Sequence, residues 1–213
     1  EERIHFLAHH DVLTELPNRS LCQQRLGEAL DEARRTGERV AVLFIDLDRF
    51  KLINDTLGHH IGDGLLRVVA RRLTQTVRTD DTVSRLGGDE FVIIMRHVRD
   101  HEELDTVVNQ RMIPTIRQTT VVEGHSISVS CSVGVAVFPD DASNQDELMR
   151  RADAAMYEAK SAGRDMARYC SSETDQRLQA RQVLETQLRQ ALANGEFSLH
   201  YQPRLCARTR RML

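Results

Sequence analysis

An α/β sandwich is the fold class the sequence predicts, and three observations predict it. "VAVLFIDLD" (Val40 to Asp48) is a nearly continuous apolar run of strand length, as expected of a buried central strand that ends in acids. "TVSRL" and "EFVIIM" flank Gly87-Gly88, which is hairpin spacing. Segments with the 3.6-residue apolar period alternate with these strands, so helices must pack on a sheet.

Taken in order, Glu1 to His10 reads as the end of a helix, and "DVLTELPNR" (Asp11 to Arg19) as a turn. Ser20 to Thr36 carries the helical period through Leu21, Leu26, Ala29, Leu30 and Ala33, and Gly37 closes it. After the first strand come a short helix over Phe50 to Leu57, a Gly-punctuated loop and a longer helix from about Gly62 to Val77. The hairpin follows, then a helix from Glu102 to about Thr119. "SISVSCSVGVAVF" alternates strongly enough for one long strand from Ser126 to Phe138. Asp141 to Ser161 is helical, with Ser143 as N-cap and Gly163 as stop, and Met166 to Tyr169 adds an edge strand. The order is βαββαβ plus an extra helix and strand. It predicts a ferredoxin-like, palm-type core with a central, mostly antiparallel sheet and one layer of helices against it.

The chain has 213 residues, 40% apolar content and a net charge of −3, with both signs well mixed. That suits one domain of about 150 residues plus extra. It gives no electrostatic reason to expect a nucleic-acid groove. No apolar run approaches the ~18 residues of a membrane span, so any membrane link would come from segments outside this chain. A start at Glu1 and an end at Leu213 suggest a segment of a longer protein. Cys22, Cys131, Cys170 and Cys206 lie far apart and read as reduced thiols of a cytoplasmic domain. His97 and His101 have the spacing of a metal pair but sit in a polar stretch, which reads as solvated surface.

Two acid clusters carry the candidate chemistry. Side chains alternate along a strand, so Asp46 and Asp48 share a face at the end of the first strand. Asp89 and Glu90 follow the Gly-Gly turn and point to opposite faces, so one of them can join Asp46 if the first strand neighbours the hairpin. Carboxylates brought that close repel, and a hard divalent cation such as Mg²⁺ relieves the repulsion. Gly87 and Gly88 would let a nucleotide lie against the backbone. Lys51, Lys160 and Arg164 offer phosphate charge. Asn54 and Asp63 flank the Gly-rich loop and could read a guanine edge. Each feature has a plainer alternative: an acid-tipped strand end for the carboxylates, and helix capping for Asn54 and Asp63.

"DVLTELPNR", "DLDRFKLINDTLGHHIGD", "RLGGDEF" and "AMYEAKSAGRD" together strongly resemble the signature blocks of GGDEF-domain diguanylate cyclases, in the right order and spacing from Asp11 to about Tyr169. The resemblance implies that two GTP molecules, one on each protomer of a homodimer, condense to cyclic di-GMP with loss of pyrophosphate. Carried over, Asp46, the Leu47 carbonyl and Asp89 would hold Mg²⁺, with Mn²⁺ possible. Asp89 would act as the base, with Glu90 supporting it. Asn54 and Asp63 fall on guanine-reading positions, and Lys51, Lys160 and Arg164 on phosphate-contacting ones. Phe50, Gly87 and Gly88 complete the substrate-binding set, and Asp48 is left to a structural pair. Glu15 departs from the pattern, which often has Gly there. Arg78-Thr79-Asp80-Asp81 has the Arg-x-x-Asp form at the spacing of the family's inhibitory product site; a helix-end salt bridge is the alternative.

From about Glu173 the character changes. Glu173 to Ala193 reads as a charged helix, and "FSLHYQP" begins a strand with no partner in this chain. "ALANGEFSLHYQP" resembles the start of an EAL-type cyclic di-GMP phosphodiesterase domain. The division implied is a GGDEF domain over 1–170, then a linker helix and truncated EAL start over 171–213. The parent would be a GGDEF–EAL tandem, and this segment would hydrolyse no cyclic di-GMP. The competing functional reading is a non-catalytic module that binds GTP or cyclic di-GMP and regulates the adjoining phosphodiesterase.

Overall fold

Strand β1 (Arg39–Leu47) is buried at every position after its first residue, and the fold is arranged to cover both of its faces. In the computed structural model, residues 8–170 are described, together with Phe6, Gln187, Ala191 and Asn194. The chain divides into two compact units, Glu1–Asp175 and Gln176–Leu213, and every element named below lies in the first. The helix expected over 173–193, apart from those isolated positions, and the strand expected after it lie outside the described residues.

Helix α1 (Arg19–Thr36) begins where Asn18 accepts hydrogen bonds from the amides of Ser20 and Leu21, and ends at Gly37 in the left-handed conformation. After β1 come α2 (Phe50–Leu57) and α3 (His59–Thr76), then the hairpin strands β2 (Thr82–Gly87) and β3 (Glu90–Val98). A helical run follows as α4 (His101–Asp105), a π turn (Thr106–Met112) and α5 (Ile113–Arg117). Pro114, which has no N–H to donate, falls at the start of α5. Strands β4 (Thr120–Val122) and β5 (His125–Ile127) form a small separate sheet, and β6 (Cys131–Phe138), α6 (Gln145–Ser161) and β7 (Met166–Tyr169) complete the domain.

The main sheet has the order β2-β3-β1-β6-β7, antiparallel throughout except for the parallel pair β6–β7. This is the mixed α/β fold with a mostly antiparallel sheet that the sequence predicts, and β3 does lie beside β1. The single helical layer is overturned. Val40, Val42 and Phe44 pack under α1 and α6, while Ala41, Leu43, Ile45 and Leu47 pack under α2, α3 and the π turn. A strand apolar at consecutive positions has no face to give to water, so helices must close both sides.

Three local differences have physical causes. The single strand expected over 126–138 is broken between β5 and β6, because Ser130 leaves the ladder: its carbonyl accepts from the Asp48 amide and its Oγ donates to the Asp48 carboxylate. Helix α6 starts at Gln145 with Asn144 as N-cap, while Ser143 instead donates its amide and hydroxyl to Glu147. Helix α3 starts at His59, so the expected Gly-punctuated loop shrinks to Gly58. Gly62 and Gly64 lie inside that helix because neighbours approach them: a Cβ on Gly62 would stand 1.9 Å from Asn54 Oδ1, and one on Gly64 2.4 Å from Val122 Cγ1.

Glu15 sits in the left-handed region at φ 61°, which explains why glycine suits that position. Replacing Glu15 with Gly should raise the unfolding free energy by about 0.5–1 kcal/mol, since relief of strain exceeds the added chain entropy. Urea denaturation would check this, and a loss of stability would mean that Glu15 makes compensating contacts.

Candidate active site

At the end of β1 a carboxylate is forced into the interior. Asp46 is 7% exposed and stands directly across from Glu90 on β3 and Ser132 on β6. Residues paired across antiparallel strands share a face, so Asp46 and Glu90 both face the side covered by α1 and α6. From the last turn of α6, Lys160 reaches Asp46 with Nζ 2.7 Å from Oδ2. Burial pushes the Asp46 carboxyl up to about 6. The Lys160 hydrogen bond and charge oppose that rise, and the nearby Asp89 and Glu90 charges add to it. One ammonium is thus set against three carboxylates.

Asp89 lies in the turn rather than in β3, and its carbonyl accepts from the Leu47 amide at 3.3 Å. The sequence left open which acid would join Asp46. Glu90 is its cross-strand partner, and Asp89 approaches from the turn. Glu90 is 3.9 Å from Arg19, and both are well exposed. Gly87 and Gly88 have φ of 145° and 52°, and a Cβ on either would meet nothing within 4 Å. The turn is therefore open, in a backbone shape that L side chains resist.

Asp48 was expected in a structural pair. It is structural, but its partners are uncharged: Ser130 Oγ and the Asp165 amide donate to Oδ2, and Ser132 Oγ donates to Oδ1. These bonds tie the end of β1 to the chain before β6 and to the turn after α6. Both tied segments are unusual in the backbone. Arg49 caps α2 at φ 57°, and Gly163, Arg164 and Asp165 all have positive φ. A cleft of about 350 Å³ runs between them, lined by Asp48, Arg49, Leu52, Ser130 and Arg164 among others. Lys51 is exposed on the first turn of α2.

Asn54 and Asp63 lie on α2 and α3, against the opposite face of the sheet from Lys160. Neither caps a helix, so the capping alternative falls away. Asn54 Oδ1 is buried without a hydrogen-bond partner, held against Gly62. Asp63 is exposed nearby. Phe50, expected in the substrate-binding set, is 7% exposed and belongs to the core, so its side chain offers little surface to a ligand.

Among the described residues, no group of three or more His, Cys, Asp or Glu side chains could hold a metal ion. His97 instead pairs with Glu38 at 2.7 Å, and His101 packs edge-on against Tyr169. The donors at Asp46 and Asp89 are hard oxygens with excess negative charge, which fits Mg²⁺ or Mn²⁺ completed by carbonyl, water and phosphate oxygens. Cys22 and Cys131 are free thiols, and Cys206 lies outside the described residues.

Arg78 and Asp81 lie just past the end of α3, in the turn before β2. Arg78 pairs with the buried Glu103, which also accepts from the Arg99 amide and guanidinium. Asp81 accepts from the amides of Arg78 and Arg96. The salt-bridge alternative is therefore realised, with Glu103 as partner. A cleft of about 460 Å³, lined by Arg78, Arg99, Glu103 and Arg111 among others, opens beside the pair.

The domain is thus a mixed α/β fold with a sheet of ferredoxin-like strand order, carboxylates gathered at one end and an open Gly-Gly turn beside them. Residues 8–166 match the family model "Diguanylate cyclase, GGDEF domain", and the chain belongs to that family. It is 44% identical over 203 residues to the bifunctional diguanylate cyclase/cyclic di-GMP phosphodiesterase MucR of Pseudomonas aeruginosa, covering 94% of this chain and 29% of MucR. The isolated GGDEF domain of TpbB from the same organism superposes with a TM-score of 0.77 at 38% identity, covering 80% of this chain and 99% of that one. DgcB of Caulobacter crescentus, solved as coiled coil and GGDEF domain in complex with cyclic di-GMP, gives 0.72 at 27% identity, covering 79% and 88%. The chain spans less than a third of the length of MucR. No helix among the described residues is long and apolar enough to cross a membrane.

The sequence reading singled out neither Arg85 nor Asp11. Their signal was there, since both lie inside the quoted blocks "RLGGDEF" and "DVLTELPNR" or directly at their edge.

Burial would raise the Glu103 carboxyl, but hydrogen bonds from Arg99 and Arg78 outweigh it and hold Glu103 below the usual carboxylate range. The stabilisation is present above the unfolded value of 4.5 and is lost as pH falls through the folded value. Glu103→Gln should therefore melt below wild type at pH 7, with the gap closing as the pH drops below that value. A gap independent of pH, followed by circular dichroism, would rule out this ionic role.

Proposed function

We propose that this domain is a diguanylate cyclase that condenses two GTP into cyclic di-GMP and pyrophosphate as a homodimer. The observation that carries the reading is the buried Asp46 carboxylate, with Glu90 across from it, Asp89 beside it and an open Gly87-Gly88 turn above. Asp46, the Leu47 carbonyl and Asp89 would hold Mg²⁺, or Mn²⁺. When bound, the ion neutralises triphosphate charge and polarises the reacting phosphoryl group.

The chain's own residues do the rest. Asp63 and Asn54 would accept from the guanine N1–H and exocyclic amine, donors that adenine does not present together; Asn54 must turn its buried Oδ1 away from Gly62 to do so. The main chain at Phe50 and the bare turn at Gly87 and Gly88 let the triphosphate lie close. Lys51, Lys160 and Arg164 offset its charge, Lys160 by giving up part of its hold on Asp46. Asp89, supported by Glu90, accepts the 3′-hydroxyl proton. The 3′-oxygen of one GTP then bonds to the α-phosphorus of the other, and the bond from that phosphorus to pyrophosphate breaks. Two such attacks close the ring. One site holds one GTP, so a second protomer must face it.

Arg78 and Asp81 are proposed as a product site that lowers the rate by holding protomers apart; product phosphate would have to compete with Glu103 for Arg78. The similarity to MucR over nearly the whole chain supports 1–170 as the cyclase unit and 171–213 as the start of an adjoining EAL phosphodiesterase. That similarity also supports a second reading, in which the domain binds nucleotide and regulates the phosphodiesterase without turnover. GTP as substrate favours a cytoplasmic site of action.

Incubation with GTP and Mg²⁺, followed by chromatography, decides between the two readings. Wild type should form cyclic di-GMP, and Asp46→Asn or Asp89→Asn should reduce formation at least a hundredfold while the protein stays folded. GTP binding without product would select the regulatory reading, and full activity in either variant would remove these residues from the site. Asp63→Ala should weaken GTP binding roughly tenfold to a hundredfold, with ATP binding little changed. Equal losses by calorimetry would deny Asp63 its role in reading guanine.

A further inference from the structure

Two arginines at the end of β1 have no partner. Arg49 stands between β1 and α2, Arg164 lies in the turn between α6 and β7, and both are exposed. Among the described residues neither guanidinium makes a hydrogen bond or an ion pair. Both line the cleft of about 350 Å³ there, together with Asp48, Leu52, Ser130 and Asp165. The cleft adjoins the carboxylates: Asp48 is two positions beyond Asp46, and Arg164 four positions beyond Lys160, which reaches Asp46.

The acids in its wall are already engaged. Asp48 accepts from Ser130, Ser132 and the Asp165 amide, and the Asp165 carboxylate is held by Arg117 at 2.6 Å. Nothing in the lining is left to neutralise Arg49 and Arg164, so the cleft presents two uncompensated positive charges. The backbone makes Arg49 the more informative of the two. At φ 57° it occupies the left-handed region, where glycine fits without strain. Its carbonyl accepts from the Leu52 and Ile53 amides, which fixes that conformation, while its side chain caps nothing. A strained position whose side chain the fold does not use is where a ligand contact is expected.

We infer that the Arg49 guanidinium is a further substrate-binding group, which together with Arg164 takes the terminal phosphate of the nucleotide and holds the pyrophosphate as it leaves. This rests on the reading that places a nucleoside triphosphate at the end of β1. A planar guanidinium forks to two oxygens of one phosphate, whereas Lys51 and Lys160 act as point charges. When the 3′-oxygen bonds to the α-phosphorus, the breaking bond leaves its electron pair on the pyrophosphate oxygen. Charge therefore grows on the part of the triphosphate farther from the nucleoside. Arg49 and Arg164 are cations for which no described residue competes, unlike Lys160, which Asp46 holds.

Calorimetry on the full 213-residue chain with Mg²⁺, using GTP and inorganic pyrophosphate as probes, tests this. Arg49→Ala should weaken both about tenfold or more, the effect of losing hydrogen bonds to a charged group. Asp63→Ala should weaken GTP alone, since pyrophosphate has no base to read. Arg35→Ala, which removes the same charge from the last turn of α1, should change neither. Arg49→Gly should bind as poorly as Arg49→Ala and melt no lower than wild type, because the backbone there favours glycine. Wild-type affinity for either probe in Arg49→Ala, or an equal loss in Arg35→Ala, overturns the inference. Pyrophosphate binding that depends on Arg49 in a chain that binds no GTP would leave the phosphate site standing and remove the cyclase reading. Binding of neither probe by wild type would remove both.

Discussion

The constraint from which this site follows is the complete burial of β1. A strand covered on both faces ends in water-poor surroundings, and its terminal carboxylate cannot be left uncompensated there. Asp46 is compensated by Lys160 from the adjacent helix, yet the acids of the neighbouring hairpin lie close enough to oppose that pairing. A buried charge with a single charged partner is a poor way to stabilise a fold. It makes physical sense as a place prepared for further positive charge.

Around this point the backbone takes shapes that side chains resist. Arg49, Gly87, Gly88, Gly163, Arg164 and Asp165 all have positive φ, and all lie near the end of β1 or in the hairpin turn over it. Such conformations persist only where surrounding bonds over-determine them. Asp48 fixes two of the segments by accepting from Ser130, Ser132 and the Asp165 amide, and Arg117 adds a 2.6 Å ion pair to Asp165. Arg85 does the equivalent for the turn. Other non-glycine residues, Glu15, His97 and Glu123, also have positive φ, but at this strand end several such residues come together.

The two helical layers divide the work. Helices α2 and α3, on one face, carry Asn54 and Asp63 at a contact so close that only glycine fits at position 62. Helix α6, on the other face, carries Lys160. On the proposed reading the site would draw on both layers, and its geometry would then depend on the packing of both cores.

Strand β1, the Gly87-Gly88 hairpin, α1 with its Gly37 stop and the acids at the strand end were all legible in the sequence, because each depends on local chemistry: apolar period, turn residues, caps. The adjacency of β1 and β3 followed from the strand order. What lay beyond the sequence was set by contacts between distant segments. Residues 59–61 read as part of a loop, with the helix beginning at about Gly62, until the helix was seen to start at His59 and Asn54 to fill the space beside Gly62. The serines before β6 read as one strand until Asp48 was seen to draw Ser130 out of the ladder. Glu90 faces Asp46 by register, Arg78 is claimed by Glu103, and Arg85 joins Asp11 to the turn across 74 positions. Sequence pattern specifies which residues leave water; only the folded chain decides which charges then find each other, since that is fixed by where two remote backbones come to lie.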